Sequence, residues 1–93
     1  MKTITFEWDL KKEDQNIKKH KCSFLEAIQV FYDPRVIHLE DENHSSVENR
    51  FYAVGKSEKG NVITVRYTWR EDKIRIYGAA KWRKWRKYYE KNS

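Results

Sequence analysis

The sequence predicts a small α+β domain in which helices pack on an antiparallel sheet. Two observations lead to this fold class. Apolar residues recur at helical spacing in the first third of the chain, and runs that alternate apolar with polar residues follow between residues 50 and 78. The predicted order is a strand, two helices, about four antiparallel strands and a C-terminal helix. A chain of 93 residues supports one modest core, so residues 1–93 are expected to form a single domain.

The chain is expected to begin with a strand and an exposed helix. Ile4, Phe6 and Trp8 alternate with polar neighbours, which is the period of a half-buried strand. Asp9 then stands at an N-cap position, where its carboxylate can accept hydrogen bonds from the first N–H groups of a helix. The run that follows, LKKEDQNIKKHK, has few apolar residues, so this helix is expected to be largely solvated.

A second helix is predicted to follow Ser23. Ser23 and Glu26 have the spacing of a capping box. Asp33-Pro34 ends the helix after about Tyr32, because the residue before a proline avoids the helical conformation. Apolar residues at helical spacing support the prediction: Phe24, Ala27, Ile28 and Phe31.

The sheet is predicted from four runs in the rest of the chain. A short strand at 36–39 precedes an acidic polar loop at 40–49. Lys59-Gly60 and the run 70–72 suit hairpin turns between the strands that follow. A final helix is expected to begin near Ala80. The three stronger strands cover 50–55, 61–69 and 73–78.

Positive charge is concentrated near the C-terminus. Residues 1–72 contain twelve Lys or Arg and thirteen Asp or Glu, whereas residues 73–93 contain eight bases and one acid, Glu90. The whole net charge of +6 therefore comes from the last fifth of the chain. Such a block attracts polyanions through counterion release, although an acidic protein partner would satisfy the same field.

Several classes of function find no support in the sequence. With only three glycines there is no phosphate-binding loop or nucleophile elbow, and neither His20-x-Cys22 nor the pair His38 and His44 has the spacing of a zinc site. No metal or other cofactor is therefore expected. Cys22 has no internal disulfide partner and is expected to be a small residue at a helix start. No apolar segment suits a membrane span or a signal peptide, which predicts a cytoplasmic protein without a membrane partner.

Basic residues of the late strands form a first candidate site. Arg66, Lys73 and Arg75 belong to adjacent predicted strands and can share one face of the sheet, with Lys81 nearby. Fixed cations of this kind stabilise the negative charge that builds up on phosphoryl oxygens when RNA is cleaved by transesterification. The alternative interpretation is an ordinary solvated sheet face.

Lys18-Lys19-His20-Lys21 forms a second candidate site. A histidine titrates near neutral pH and can accept or donate a proton, and lysines beside it would hold a phosphate. A lone histidine near a helix end is more often a capping or surface group. The functional interpretation of Lys19 and His20 therefore depends on whether the fold brings them to Arg66 and Arg75.

The last predicted helix combines aromatic rings with bases. Trp82, Trp85 and Tyr89 recur at i, i+3 and i+7, which favours packing of these rings on the sheet. Stacking of exposed tryptophans on nucleobases is the alternative. The candidates for RNA binding are the bases of this helix and of the preceding turn: Arg70, Lys73, Arg83, Lys84, Arg86 and Lys87.

Together these motifs resemble the pattern of the BrnT toxins, with the same order and spacing over residues 4 to 90. The first part of the resemblance consists of Glu7-Trp8-Asp9, Lys12, Asn16, Lys19-His20, Ser23-Phe24, Ala27, Phe31 and Asp33-Pro34. The second part consists of Arg50-Phe51, Gly55-Lys56-Ser57, Gly60, Val65, Tyr67-Thr68, Arg70, Ile74-Arg75-Ile76, Ala79, Lys81 and Tyr89-Glu90.

The resemblance implies a RelE-like α+β fold and a ribonuclease toxin of a type II toxin–antitoxin system, which cleaves RNA without a metal and arrests translation. It also implies a BrnA-like antitoxin that neutralises the toxin and joins it in binding promoter DNA. Arg75 and Lys81 are then expected to be phosphate and transition-state cations, and Lys19 or His20 the proton-transfer or positioning group. The full set of catalytic candidates is Lys19, His20, Arg66, Arg75, Lys81 and position Ala80.

The chain departs from the family pattern at Ala80. The family usually has Ser-Ala-Arg-Lys after the Ile-Arg-Ile strand, whereas this chain has Gly78-Ala79-Ala80-Lys81. Two interpretations are open: this member works without the arginine by using the extra bases of the last helix, or an arginine-to-alanine change has inactivated it. The helix also carries Arg86 near the usual place of an acidic residue, so no role is assigned to such a carboxylate.

Three classes of function are compatible with the sequence. The leading hypothesis is an RNA-cleaving toxin, the second is a non-catalytic basic module that binds RNA or DNA, and the third is a domain whose basic helix docks an acidic antitoxin. Cleavage of RNA in the presence of a chelator distinguishes the first class from the other two.

Overall fold

In the computed structural model, which describes residues 3–44 and 48–92, three helices accompany a five-stranded sheet. A short 3-10 helix covers Glu42–His44, and residues 45–47 of the predicted acidic loop lie outside the described residues. The predicted α+β fold class is confirmed. No described helix is long and apolar enough to cross a membrane. The elements are β1 (Thr5–Glu7), α1 (Leu10–His20), α2 (Phe24–Val30), β2 (Ile37–Glu40), β3 (Arg50–Lys56), β4 (Val62–Arg70), β5 (Lys73–Ala80) and α3 (Arg83–Asn92).

The strand order in the sheet is β1-β5-β4-β3-β2. Strands β2 to β5 form the predicted antiparallel meander, and the β3–β4 turn contains Gly60 with a φ of +89°, a conformation that favours glycine. The first strand pairs with β5 in parallel, from Thr5 opposite Lys73 to Glu7 opposite Arg75. The sheet is therefore mixed and gains a fifth strand.

The main core lies between α2 and one face of the sheet. Phe24 and Val30 of α2 are completely buried against a cluster that includes Ile63 and Val65 of β4. On the opposite face, Tyr89 of α3 packs on one valine from each of β3 and β4. Helix α3 thus covers one end of this second face, and the candidate site lies on the remainder of it.

The first two helices begin where the sequence predicts. The Asp9 carboxylate accepts hydrogen bonds from two N–H groups in the first turn of α1. The Ser23 hydroxyl accepts one from the N–H of Glu26 at 3.1 Å, which is half of the predicted capping box. The Glu26 carboxylate instead accepts hydrogen bonds from Ser57 and Asn61, both at 2.8 Å, so it ties α2 to the β3–β4 turn.

The predicted start of the last helix near Ala80 is wrong. Strand β5 continues to Ala80, and α3 begins at Arg83. The register of β4 and β5 shifts by one residue at Tyr77, which is the extra residue of a β-bulge. Residues 78–80 are all buried in the sheet, and this packing overrides the weak helical preference of the alanines.

Candidate active site

Helix α1 is anchored to the sheet by the buried side chain of Asn16. Strand β1 covers only the first part of the edge of β5, and the Asn16 side chain forms hydrogen bonds with the last part of the same edge. Its Nδ2 donates to the Ala79 carbonyl at 2.8 Å, and its Oδ1 accepts from the Ala79 N–H at 3.2 Å. The same Nδ2 donates to the Cys22 carbonyl at 2.8 Å. The amide therefore takes the place of a neighbouring strand and fixes the residues of α1 that flank it.

A cleft of ≈ 250 Å³ lies between α1 and the sheet. Helix α1 supplies residues from one of its faces, while β4 and β5 supply one side chain each. Three of the lining residues are cations, so the cleft is electropositive. The lining residues are Lys12, Gln15, Asn16, Lys19, His20, Arg66 and Tyr77.

Arg66 of β4 lies directly over Gly78 of β5. A Cβ atom at position 78 would come within 2.6 Å of Nε and of one terminal nitrogen of the guanidinium, so a larger residue would displace that group. The guanidinium carbon lies 5.5 Å from the ring centre of Tyr77 and 5.6 Å from that of Trp82. These cation–π contacts hold the guanidinium in place. Its buried Nε has no hydrogen-bond partner in the described part of the chain.

His20 ends α1 beside the same tryptophan. Its ring centre lies 5.9 Å from that of Trp82, edge to face. Burial, together with the positive charges of Lys19 and Arg66, lowers the pKa of His20 from its ordinary value of 6.5. The imidazole is therefore mainly neutral at neutral pH and able to accept a proton.

Tyr77 brings a phenol to the cleft. The guanidinium carbon of Arg50 lies 4.7 Å from its ring centre. Burial raises the pKa of Tyr77, although Arg50 and Arg66 act in the opposite direction, so the hydroxyl stays protonated at neutral pH. Among residues 3–44 and 48–92 this buried hydroxyl has no hydrogen-bond partner, so it is an unsatisfied polar group beside the cleft.

The cleft unites three of the predicted catalytic residues, namely Lys19, His20 and Arg66. Lys12 and Tyr77 also line it and were not singled out as catalytic from the sequence. Lys12 and Lys19 are seven residues apart and so share one helical face, which is a signal that the sequence carries. The position of Tyr77 depends on the bulge, for which no local signal exists.

Arg66, Lys73 and Arg75 do share one face of the sheet by register, as predicted. They are spread along it, however, and Lys73 lies in another cleft beside Trp69 at the β4–β5 turn. Arg75 forms an ion pair with Glu7 of β1, with 2.6 Å between Nη1 and Oε2. Of the three, Arg66 lines the cleft and the other two do not.

The remaining late candidates also lie away from the cleft. Ala80 is 1% exposed and stands opposite Thr64 in the sheet. Lys81 is exposed and lines a separate cleft at the far end of β5 with Arg86 of α3, so the expected proximity of Lys81 to the other late-strand bases is wrong. The Nε of Arg70 lies 3.8 Å from a carboxylate oxygen of a loop glutamate, so this base is partly neutralised.

The rings of the last helix divide between two environments. Tyr89 is buried and Trp85 is partly buried against the smaller core, as the helical spacing predicts. Trp82 precedes the helix and is partly buried against His20 of α1 and Arg66 of β4, so this ring also packs on the sheet face, but at the cleft and not on the smaller core. The bases that alternate with these rings are all exposed: Arg83, Lys84, Arg86 and Lys87.

A second, larger cleft of ≈ 350 Å³ lies between the end of α2 and the β3–β4 turn. Asp33, one of its two lining carboxylates, accepts hydrogen bonds from the N–H groups of Arg35 and Lys56 and from the Tyr89 hydroxyl at 2.5 Å. These bonds hold the structure together, and the cleft lacks the grouping of cations that distinguishes the first one. In the described ranges, no three His, Cys, Asp or Glu side chains are grouped as metal ligands.

Comparisons with known proteins agree with this architecture. The family model described as ribonuclease toxin, BrnT, of type II toxin-antitoxin system matches residues 8–85. The fold is similar to the crystal structure of the Brucella abortus ribonuclease toxin BrnT, with a TM-score of 0.68, 17% identity, and coverage of 86% of this chain and 97% of that one. No curated protein matches the chain in sequence. At this identity the structural likeness shows the fold alone, whereas the family match covers most of the sequence. The chain therefore belongs to the BrnT family of ribonuclease toxins of type II toxin–antitoxin systems.

Proposed function

We propose that this chain cleaves RNA in the cleft between α1 and the sheet, by a metal-independent transesterification. The observation that carries the proposal is the grouping of His20, three cations and a phenol in one cleft. Membership of a ribonuclease toxin family supports the same class of reaction. RNA suits this set of groups because its 2′-hydroxyl is a built-in nucleophile that needs a base, and its phosphate needs cations.

In the proposed reaction, His20 accepts the proton of the 2′-hydroxyl while that oxygen attacks the adjacent phosphorus. The O2′–P bond forms and the P–O5′ bond breaks, which leaves a 2′,3′-cyclic phosphate and a 5′-hydroxyl. Arg66 and Lys12 stabilise the negative charge on the non-bridging oxygens. Lys19 donates the proton that the departing O5′ requires.

The exposed bases have a proposed role in binding. Cations on α3 attract the RNA backbone through counterion release, and this attraction weakens as salt rises. Arg75 has a proposed structural role, since its charge is already paired with Glu7. We assign the binding of RNA outside the cleft to Arg70, Lys73, Lys81, Arg83, Lys84, Arg86 and Lys87.

Arg66 is the proposed transition-state cation of a chain that lacks an arginine at position 80. Gly78 stands where the family pattern has serine, and the missing Cβ leaves room for the Arg66 guanidinium. Ala80 is on the same sheet face as Gly78, two cross-strand pairs further along the register. On this proposal Ala80→Arg does not raise the rate of RNA cleavage. A gain in cleavage and in growth arrest would support the alternative, a chain inactivated at Ala80.

The proposed cellular role follows the family. A type II toxin has an antitoxin partner, and we propose a BrnA-like antitoxin that covers the cleft, neutralises the chain and joins it in binding promoter DNA. The exposed bases of α3 are a suitable surface for an acidic segment of such a partner. The proposed site of action is the cytoplasm, where cleavage of RNA arrests translation.

The experiment is incubation of the purified chain with single-stranded RNA in excess chelator. The expected result is cleavage with products that end in a 2′,3′-cyclic phosphate, and no cleavage of RNA in which the 2′-hydroxyl at the cleaved position is replaced by hydrogen. Cleavage that disappears in chelator and returns with a divalent metal contradicts metal independence. Binding without cleavage, by this chain and by Ala80→Arg, supports the non-catalytic module instead.

A further inference from the structure

We propose that Tyr52, Trp85 and Tyr88 form a stacking subsite for an unpaired nucleobase of single-stranded RNA. This inference rests on the proposed function in one respect, because it takes the occupant of the neighbouring cleft to be RNA. The subsite lies outside the cleft and selects single-stranded RNA, a restriction that the cleavage reaction itself does not require.

Three rings from two elements meet on the second face of the sheet. The ring centres of Tyr52 and Trp85 are 5.5 Å apart, and those of Trp85 and Tyr88 are also 5.5 Å apart. Trp85 packs from one side on the small core around Val54 and Tyr89, so the group has a rigid base. Tyr88 is 39% exposed, and Tyr52 and Trp85 are only partly buried. An aromatic surface of this kind is available for stacking.

The exposed cations beside these rings suit a nucleic acid strand, and the Asp41 carboxylate that hydrogen-bonds Tyr52 is buried. The Nζ of Lys84 lies 5.3 Å from the ring centre of Trp85, and Arg83, Arg86 and Lys87 are exposed on the same helix. A nucleic acid strand carries a phosphate and an aromatic base in every residue, so it complements both the cations and the rings. An acidic peptide complements the rings only where it also carries apolar or aromatic side chains, whereas every nucleotide of a single strand supplies both groups.

The position of the rings connects the subsite to the cleft. Tyr52 stands directly opposite Arg66 in the β3–β4 register, and directly opposed residues have neighbouring side chains on one face. Trp82, which contacts His20 and Arg66, is one helical turn before Trp85. A strand whose phosphate occupies the cleft therefore places an adjacent base at the rings.

The rings require a single strand. Bases in a duplex are already stacked on their neighbours and cannot present a face to a protein ring, whereas bases of a single strand can. Stacking also accepts any base, because every base has a π-face. The subsite is thus expected to select single strands with little preference for sequence.

The test is an abasic scan of a short single-stranded 2′-O-methyl RNA, which cannot be cleaved, with binding measured by fluorescence anisotropy. Removal of one base near the cleft is expected to weaken binding by roughly five- to a hundredfold, the effect of one stacked base. Trp85→Leu and Tyr88→Leu are each expected to abolish that position-specific loss, and Trp85→Phe to retain most of it. Trp69→Leu, which changes a tryptophan that is 50% exposed at the opposite end of β4, is the matched control and should keep the full loss.

The two ring variants, Trp85→Leu and Tyr88→Leu, distinguish the loss of stacking from a loss of stability. Trp85 contributes to the small core, so thermal unfolding of Trp85→Leu is measured, and the fully folded fraction is used for binding. Tyr88→Leu removes an exposed ring that is not part of the small core, so its effect on binding tests stacking independently of core stability. The coupling between protein change and base removal is the decisive quantity, because a general loss of stability or of charge weakens all abasic strands equally.

The outcomes separate this inference from the proposed function. An unchanged abasic profile in both Trp85→Leu and Tyr88→Leu overturns the subsite, whatever cleavage of unmodified RNA is observed. A profile that depends on these rings supports the subsite even if the chain fails to cleave RNA in chelator, in which case the proposed function alone is overturned. If the ring variants lose affinity for an acidic protein partner while their RNA profile is unchanged, the surface is a protein interface and the inference is wrong.

Discussion

At the scale of single residues, the absence of a side chain at Gly78 allows the Arg66 guanidinium to lie in the cleft. A Cβ at position 78 would meet the end of a flexible side chain and not the backbone, so the fold can absorb a methyl group by moving the guanidinium. The consequence should therefore appear in function more than in stability. The cation–π contacts with Tyr77 and Trp82 would be lost by the same movement.

Gly78→Ala is expected to lower kcat for RNA cleavage by roughly tenfold or more, since Arg66 then no longer faces the reacting phosphate. Single-turnover kinetics at saturating RNA provide the measurement. Gly55→Ala is the control for a loss of stability without a change in the cleft. Its Cβ would meet the backbone and side chain of Val30 at 3.1 and 2.9 Å, so this change destabilises the core away from the cleft. If Gly78→Ala cleaves at the normal rate, the guanidinium does not need the position that the structure gives it.

The pH dependence of cleavage should report the lowered pKa of His20. A general base is active in its neutral form, so kcat/KM is expected to fall as pH decreases through the pKa of His20 in the free protein, at a midpoint below 6.5. His20→Gln should reduce the rate by about 10²–10⁴-fold and remove this acidic limb. His38→Gln serves as the control, because the His38 ring forms a hydrogen bond with the Tyr67 hydroxyl outside the cleft. An acidic limb that persists in His20→Gln assigns the titration to another group.

At the scale of elements, the local start signals of the helices were predictable and their tertiary partners were not. Asp9 and Ser23 cap α1 and α2 as their sequence patterns indicate, because capping involves only neighbouring residues. Glu26, the second residue of the expected capping box, accepts a hydrogen bond from Ser57 of the β3–β4 turn, which is far from α2 along the chain. The bulge at Tyr77 is likewise not indicated by the local alternation of apolar and polar residues.

Helix α1 depends on Asn16 for its place beside β5. Asn16→Ala is expected to lower the free energy of unfolding by roughly 2–4 kcal/mol, because it leaves buried backbone groups of Ala79 and Cys22 without their hydrogen bonds. Urea denaturation measures this change. Gln15→Ala, an exposed change in the same helix, should have little effect. Equal stability of the two variants would mean that α1 is held by other contacts.

At the scale of the whole molecule, the sequence predicts the fold class, the excess of positive charge and three residues of the candidate cleft, Lys19, His20 and Arg66, but not the complete cleft. The meander follows from alternating runs with short turns, whereas the parallel pairing of β1 with β5 joins distant segments. Charge pattern indicated one site among the late bases, yet the ion pair of Arg75 with Glu7 and the position of Lys81 divide that group. The cleft appears only when α1 is placed against β5, so its composition is a tertiary property.

Residues of this cleft, and not the basic surface in general, are proposed to perform the cleavage. Lys18 and Lys19 are adjacent lysines of α1, but Lys19 lines the cleft whereas Lys18 forms an exposed ion pair with Asp14 at 3.0 Å. The most direct measurement is the rate of RNA cleavage in chelator at saturating RNA for Lys19→Ala, His20→Ala and Lys18→Ala. We expect losses of at least roughly tenfold for Lys19→Ala and a hundredfold for His20→Ala, with the Lys18→Ala rate unchanged. Equal rates for all three variants would contradict this proposal.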